Sequence, residues 1–70
     1  MFPIAVDPEI LSGTPCFSGT RVPVKNLFDA LAKGRSLDYF LEQFPTVERE
    51  QATAVLEIAR ERLLQPGHAA

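Results

Sequence analysis

The sequence has little of what small disulfide-bonded, metal-binding or catalytic domains depend on. Its 70 residues contain one cysteine, one histidine and no tryptophan. A single cysteine excludes an intrachain disulfide, and Cys16 with His68 cannot supply the four protein ligands of a closed metal site in one copy. We therefore expect no metal and no cofactor.

Long apolar runs are also missing. The apolar start, Met1 to Val6, is interrupted by Asp7 and is too short for the core of a signal peptide. No other stretch approaches the roughly 20 apolar residues that a membrane helix needs. We expect a cytoplasmic protein that makes no membrane contact.

A surplus of positive charge is absent as well. The formal net charge is −2 and the isoelectric point is near 5.2. Because the neutralisation of phosphates supplies most of the affinity of a DNA-binding protein, this balance argues against strong DNA binding by a single copy. A domain of this size also buries only about 60% of its unfolded surface, which favours a homodimer or a larger complex.

The segment Gly13 to Val24 combines turn formers, β formers and a helix start. It predicts a β hairpin in which Cys16-Phe17 and Arg21-Val22 flank a Ser18-Gly19 turn, because glycine can adopt the positive φ of tight loops. Pro23 lacks an amide donor and suits a first helical turn, so the hairpin should lead into a helix.

A second β pattern lies at the amino terminus. Phe2, Ile4 and Val6 alternate as in a short strand, with few evident partners in so small a chain. Pairing with a second copy would satisfy the open edge of such a strand.

Three amphipathic helical segments follow, each with apolar residues at the spacing of one helix face. Gly34 is placed to close the first helix, Ser36 to cap the second and Pro45 to end it. The predicted apolar stripes are Val24, Leu27, Phe28 and Leu31 in the first, Leu37, Phe40, Leu41 and Phe44 in the second, and Ala52, Val55, Leu56, Ala59 and Leu63 in the third.

The third helix is predicted to begin near Glu48. Gln51 stands at the N3 position of a capping-box arrangement, and Val47 can pack against Ala52. The fold class is therefore mainly α: short N-terminal β strands or a hairpin, followed by a three-helix, homeodomain-like helix-turn-helix bundle. One domain is expected over residues 1–64, with a flexible tail over residues 65–70.

No nucleophile, base and orienting group occur together, so we expect no enzyme and no catalytic residues. Cys16 is interpreted as a small buried hydrophobe. His68 lies in a breaker-rich tail without a fixed neighbour, and Asp38 and Glu42 are better explained as a solvated helix face than as an acid and base pair.

An ordered series of motifs resembles a known family. The motifs are Asp7-Pro8-Glu9-Ile10 with Ser12-Gly13-Thr14-Pro15-Cys16, then Gly19-Thr20-Arg21-Val22-Pro23-Val24, then Ala32-Lys33-Gly34-Arg35-Ser36-Leu37, and Phe44-Pro45. Over about residues 4–64 the chain is similar to the VapB-like antitoxin family first catalogued as domain of unknown function 433. The resemblance implies a small helix-turn-helix protein, encoded beside a PIN-like ribonuclease toxin and inhibiting it.

A helix-turn-helix interpretation makes the second helix the support and the third the recognition helix. Arg49 would then contact a base or phosphate, with Thr53 beside it, although neighbouring glutamates disfavour close approach to phosphate. The predicted DNA-binding residues are Arg21, Lys25, Arg35, Arg49 and Thr53. The alternative is a plain bundle in which Arg49 and Glu50 are solvated, and in which Arg21 lies over a helix end or a carboxylate such as Glu9.

Several apolar residues remain outside the predicted core: Tyr39, Ile58 and Leu64. Clustered exposed hydrophobes can mark a contact surface. Within the resemblance, the end of the last helix would contact the toxin, and an arginine there would reach the acidic metal-binding site of the ribonuclease. The predicted toxin-binding residues are Arg60, Arg62, Leu63 and Leu64.

The function that the resemblance implies is a type II antitoxin that inhibits a PIN-like ribonuclease and binds its own operator DNA. Two alternatives stay open at this point. One is a stand-alone helix-turn-helix transcription regulator, against which the acidic isoelectric point counts. The other is a protein-interaction adaptor that does not bind DNA.

Overall fold

The structure, a computed structural model, describes residues 2–65. Its elements in chain order are β1 (Ile4–Ala5), a 3₁₀ turn (Leu11–Gly13), β2 (Cys16–Phe17), α1 (Lys25–Ala32), α2 (Leu37–Gln43) and α3 (Arg49–Leu64). The protein is mainly α with a small antiparallel sheet at its amino terminus, which confirms the predicted fold class. Of the predicted tail, residues 66–70 with His68 lie outside the described residues.

The sheet differs from the predicted hairpin in its partner strand. β2 pairs with β1, in the register Ile4 to Phe17 and Ala5 to Cys16. Residues 18–21 form one turn instead, because the Thr20 hydroxyl donates to the Phe17 carbonyl at 2.9 Å and accepts from the Val22 amide at 3.0 Å. Only two backbone contacts connect Cys16-Phe17 to the segment with which it was predicted to pair. The Phe17 amide donates to the Val22 carbonyl, and Cys16 forms an isolated β-bridge with Pro23.

The amino-terminal segment finds its partner within the chain. The Ser18 amide donates to the Pro3 carbonyl at 2.9 Å, and the Ser18 hydroxyl donates to the Phe2 carbonyl at 2.6 Å. The expectation that this segment has few partners within the chain is therefore wrong. Ile4 also packs against the core, so the segment is part of the domain.

Gly34 ends α1 as predicted. Its φ is +83°, its amide donates to the Leu31 carbonyl at 3.0 Å, and the Arg35 amide donates to the Ala30 carbonyl at 2.9 Å. These two hydrogen bonds satisfy the last carbonyls of the helix in the pattern of a Schellman motif. The left-handed residue turns the chain sharply, so that α2 can begin three residues later.

We expect Gly34→Ala to lower the free energy of unfolding by about 1 kcal/mol. A Cβ at this position would meet no atom within 4 Å, so the cost comes only from the positive φ. Urea denaturation should show a lower midpoint with an unchanged slope. Lys33→Ala, at the neighbouring exposed position with φ −88°, is the matched control. An unchanged midpoint in Gly34→Ala would contradict the argument.

Local side-chain hydrogen bonds start the other two helices. The Ser36 hydroxyl accepts from the Tyr39 amide at 3.0 Å, which confirms the predicted cap of α2. The Gln51 side-chain oxygen accepts from the Glu48 amide at 3.0 Å, as a capping box requires. Its nitrogen donates to the Ser18 carbonyl at 2.9 Å, so one side chain both caps α3 and ties it to the β2 turn.

The core lies where all three helices and β2 meet. Phe40 of α2 is fully buried, with its ring centroid 5.8 Å from that of Phe17 and 5.0 Å from that of Phe44. Leu27 and Val55 belong to the same cluster, so the three helices pack on one another as the sequence predicts. The buried members of the cluster are Phe17, Val24, Leu27, Phe40, Val47, Ala52 and Val55.

Three residues of the predicted stripes are not in the core: Phe28, Ala59 and Leu63. Phe28 is 38% exposed, because Val24, Leu27 and Leu31 already occupy the inward face of α1 and Phe28 falls at its edge. Leu63 is 65% exposed, because the 16-residue α3 is about 24 Å long and continues past the core after its second turn. Periodicity indicates the side on which these residues lie and not how far the core extends.

Candidate functional site

The five residues predicted to bind DNA lie in three separate places. Arg21 lines a depression beside β1 together with Asp7. Lys25 and Arg35 lie near Asp29, at the groove between α1 and α2. Arg49 and Thr53 stand on the first turns of α3. Each of the three places also contains a carboxylate, so the positive charges do not merge into one basic surface.

Arg49 is already paired with a carboxylate. Its guanidinium donates to Asp38 of α2, and the two side chains are 60% and 73% exposed. Glu42 lines the same shallow depression, so the local surface carries more acid than base. An ion pair this exposed contributes about 0–1 kcal/mol and leaves the guanidinium free to exchange partners. The Asp38 and Glu42 face is thus partly neutralised by Arg49.

Arg21 lacks the carboxylate partner that the sequence suggested. Among residues 2–65 it forms no ion pair with Glu9 or with any other carboxylate. Its side chain is exposed at the rim of a depression whose other walls include Ala5, Ile10 and Val22. The position leaves Arg21 accessible to a partner from outside the chain.

The groove between α1 and α2 has two basic residues, Lys33 and Arg35, in its lining. We call it the basic groove; its residues include Asn26, Asp29, Lys33, Arg35 and Tyr39. The Arg35 guanidinium lies 5.0 Å from the centroid of the Tyr39 ring, a distance at which a cation is attracted to an aromatic face. The predicted DNA-binding set omits Lys33, although its position directly before the helix-ending glycine places it beside Arg35.

Asp29 is the one carboxylate of the basic groove and it is internally satisfied. The Lys25 ammonium donates to it at 2.7 Å, one turn away on α1. This hydrogen bond is the main cause that lowers the pKa of Asp29 below its ordinary value; desolvation opposes it, and the charges of Lys25 and Lys33 add to the lowering. Asp29 therefore stays ionised at neutral pH and cancels the charge of Lys25.

The exposed side of α3 carries the opposite charge. Glu50, Glu57 and Glu61 are all exposed and recur at spacings of seven and four residues, which places them along one face of the helix. We call this face the acidic strip. Arg49, Thr53 and Arg60 form the adjacent line on the same helix, as the sequence indicates.

The predicted toxin-binding residues occupy the free end of α3. Leu63 and Leu64 are 65% and 68% exposed, and Arg60 and Arg62 are exposed beside them. These two leucines are the most exposed large hydrophobic side chains among the described residues. They lie past the last core contact of α3, so the end of the helix presents apolar and basic groups side by side.

The remaining candidates for chemistry are unremarkable in their surroundings. Cys16 is 4% exposed and its thiol approaches the Thr14 carbonyl at 3.4 Å, which confirms its interpretation as a small buried residue. Within residues 2–65 no group of three or more histidine, cysteine, aspartate or glutamate side chains is arranged to hold a metal ion. In the same range no helix is long and apolar enough to cross a bilayer.

Comparison with known proteins gives two relatives. The uncharacterized protein y4eO of Sinorhizobium fredii is 40% identical over 48 residues, which are 69% of this chain and 22% of that protein. The crystal structure of a DUF433 member protein from Anabaena variabilis matches with a TM-score of 0.74 at 23% identity, covering 87% of this chain and 60% of that chain. The chain thus spans about a fifth of the one relative and three fifths of the other, and the second likeness shows a common fold.

A family match also covers most of the chain. Residues 4–59 correspond to the family described as "Protein of unknown function (DUF433)". The matched range begins at β1 and ends within α3. It includes the sheet, all the buried core residues, the Gly34 end of α1 and the caps that start α2 and α3. The chain therefore belongs to the DUF433 family.

Proposed function

We propose that the protein is the antitoxin of a type II toxin–antitoxin module and that it binds and inhibits a PIN-like ribonuclease. Membership of the DUF433 family supports the family part of the resemblance on which this proposal rests. The structure adds one observation that carries it. The last turns of α3 extend beyond the core and expose Leu63 and Leu64.

A helix end of this kind suits insertion into a groove of a partner. Single exposed leucines are ordinary, but two adjacent ones on a helix that has left its own core form a compact apolar anchor. Recognition of a helix by a groove uses such anchors, with polar groups at their margin providing specificity. The anchor here is bordered by Arg60 and Arg62, which suit an acidic partner.

Inhibition follows from the charge of those arginines. A PIN-like ribonuclease holds its metal ions with carboxylates, so a guanidinium that reaches the site forms charge-assisted hydrogen bonds with them. The helix would then occupy the space that RNA requires. In this role the protein performs no catalysis of its own; it acts by occupying the active site of the enzyme.

Operator binding is a second candidate function, favoured by one observation. Arg49 and Thr53 are exposed on the first turns of α3, the helix that follows the turn in a helix-turn-helix. The pairing of Arg49 with Asp38 and the acidic strip beside it weaken the case. We rank this function below toxin binding for that reason.

The test is co-expression with the product of the neighbouring gene, followed by size-exclusion chromatography and a fluorogenic RNA cleavage assay. We expect a stable complex in which cleavage is suppressed. Arg60→Ala and Arg62→Ala, separately and together, should restore cleavage without preventing complex formation, because the leucines remain. Arg49→Ala is the matched control and should inhibit normally. Absence of a complex with the neighbouring protein would overturn the proposal.

A further inference from the structure

The charges of this acidic protein are spatially separated. Lys33 and Arg35 line the basic groove together with its single carboxylate, Asp29, and Lys25 is paired with Asp29 from outside the groove. These four residues carry a net charge of +2 (three positive charges and one negative charge). Because the whole chain has a net charge of −2, the remainder carries −4. Since Lys25 and Asp29 are paired, Lys33 and Arg35 provide the charge available to a partner.

The largest group of carboxylates on one helix face is the acidic strip of α3. Among residues 2–65 none of Glu50, Glu57 and Glu61 takes part in an ion pair. Three like charges along one face repel one another in the isolated chain. A helix with such a strip has the charge that complements a groove lined by Lys33, Arg35 and the Tyr39 ring.

We propose that a second copy of this chain docks its acidic strip into the basic groove, so that α3 of each protomer lies against α1 and α2 of the other. A two-fold arrangement forms this contact twice and uses both surfaces of both protomers, which closes the assembly at a dimer. Complementary charge sets orientation and partner choice, while the half-exposed Tyr39 ring supplies apolar area in the groove.

A second copy fits these observations better than a nucleic acid does. Specific DNA-binding proteins neutralise on the order of 6–10 phosphates, whereas this groove offers two cations without a carboxylate partner of their own. The acidic strip of the same molecule would also be repelled by the phosphates. In the proposed dimer the negative charges of the acidic strip face the positive charges of the basic groove on the other copy.

The dimer contact and the proposed toxin contact overlap at Leu64 but not at Leu63. At 100° per residue, Leu63 lies roughly 120° to 160° around the helix from Glu57 and Glu61, whereas Leu64 lies only about 20° to 60° from them. One protomer can therefore dock into its partner and still present Leu63. The dimer proposal does not depend on the toxin, so either can fail while the other stands.

A charge exchange tests the dimer. Sedimentation velocity at low salt should show a dimer for the purified chain that dissociates as sodium chloride is raised, because exposed charge pairs are screened. Lys33→Glu with Arg35→Glu, or Glu57→Lys with Glu61→Lys, should raise the dissociation constant by roughly tenfold or more. The fourfold variant combines both pairs, restores the net charge, and should dimerise to within about threefold of the original chain.

Arg21→Glu and Glu9→Lys, which lie outside both surfaces, are the controls for reversing a single charge and should leave the dimer unchanged. Circular dichroism establishes that each variant is folded. A chain that remains monomeric at low salt, or a fourfold variant that stays dissociated, overturns the proposal. So does a dimer that persists in Lys33→Glu with Arg35→Glu while binding of a 20-base-pair duplex is lost, because the groove would then belong to nucleic acid.

Discussion

Phe40→Ala is expected to lower the free energy of unfolding by about 3–5 kcal/mol. The side chain is fully buried and its ring contacts those of Phe17 and Phe44, which come from β2 and from the end of α2. At roughly 0.05–0.15 kcal/mol per residue, a domain of 70 residues has a total stability of about 3.5–10 kcal/mol. The substitution therefore removes roughly a third or more of the total, and at the lower end of that range it leaves much of the protein unfolded at room temperature.

Chemical denaturation followed by far-ultraviolet circular dichroism measures this effect. Phe28→Ala is the matched control, because this ring is 38% exposed and outside the core cluster, and its loss should cost less than about 1 kcal/mol. A Phe40→Ala protein with a stability within 1 kcal/mol of the original would mean that the three helices do not depend on a common core.

Leu63→Asp with Leu64→Asp is expected to weaken binding of the ribonuclease by on the order of 100-fold or more. Burial of a leucine on a partner contributes about 1.5–3 kcal/mol, and an aspartate in its place would have to lose its hydration as well. Both leucines are exposed beyond the core, so the free energy of unfolding of the isolated chain should hardly change. The separation of binding from stability is the signature of a contact surface.

The measurement is an isothermal titration of the ribonuclease with each variant, together with RNA cleavage at a fixed ratio. Leu11→Asp is the control, because Leu11 is also an exposed leucine, at 47%, and its positive φ is one that aspartate tolerates. If the double variant inhibits cleavage as well as the original chain does, the end of α3 is not the toxin-binding surface.

The helices and their ends could be predicted because their signals are local. The positions of Gly34, Ser36 and Gln51 within a few residues of each helix end determine which amides and carbonyls they can satisfy. The spacing of apolar residues by three and four positions likewise indicates which sides of α1, α2 and α3 meet. Leu27, Phe40 and Val55 share one cluster for this reason.

The strand pairing could not be predicted in the same way. Cys16-Phe17 can hydrogen-bond to residues on either side in the chain, and a turn signal at Ser18-Gly19 favours the nearer segment. Thr20 decides otherwise, since its hydroxyl bonds both to Phe17 and to Val22 and lengthens the turn. The distant Ile4–Ala5 segment pairs with the other edge of β2 and forms the sheet.

The sequence identified the predicted contact residues by their charge and by their positions outside the apolar stripes. Which of these residues lie close together depends on the tertiary structure. Arg49 and Asp38 are 11 positions apart and belong to different helices, so their ion pair has no local signal. The basic groove likewise combines Lys33 from the end of α1 with Tyr39 from α2. The roles of the DNA-binding and toxin-binding residues stay predictions.

Sequence alone determined that this protein is a small, mainly helical domain with three amphipathic helices, since hydrogen-bond caps and apolar periodicity act over a few residues. Only the tertiary structure decided which strand completes the sheet, where the core ends along α3, and which charges face one another. These features depend on contacts between residues far apart in the chain, and the volume of the core limits how much of each apolar stripe it can bury.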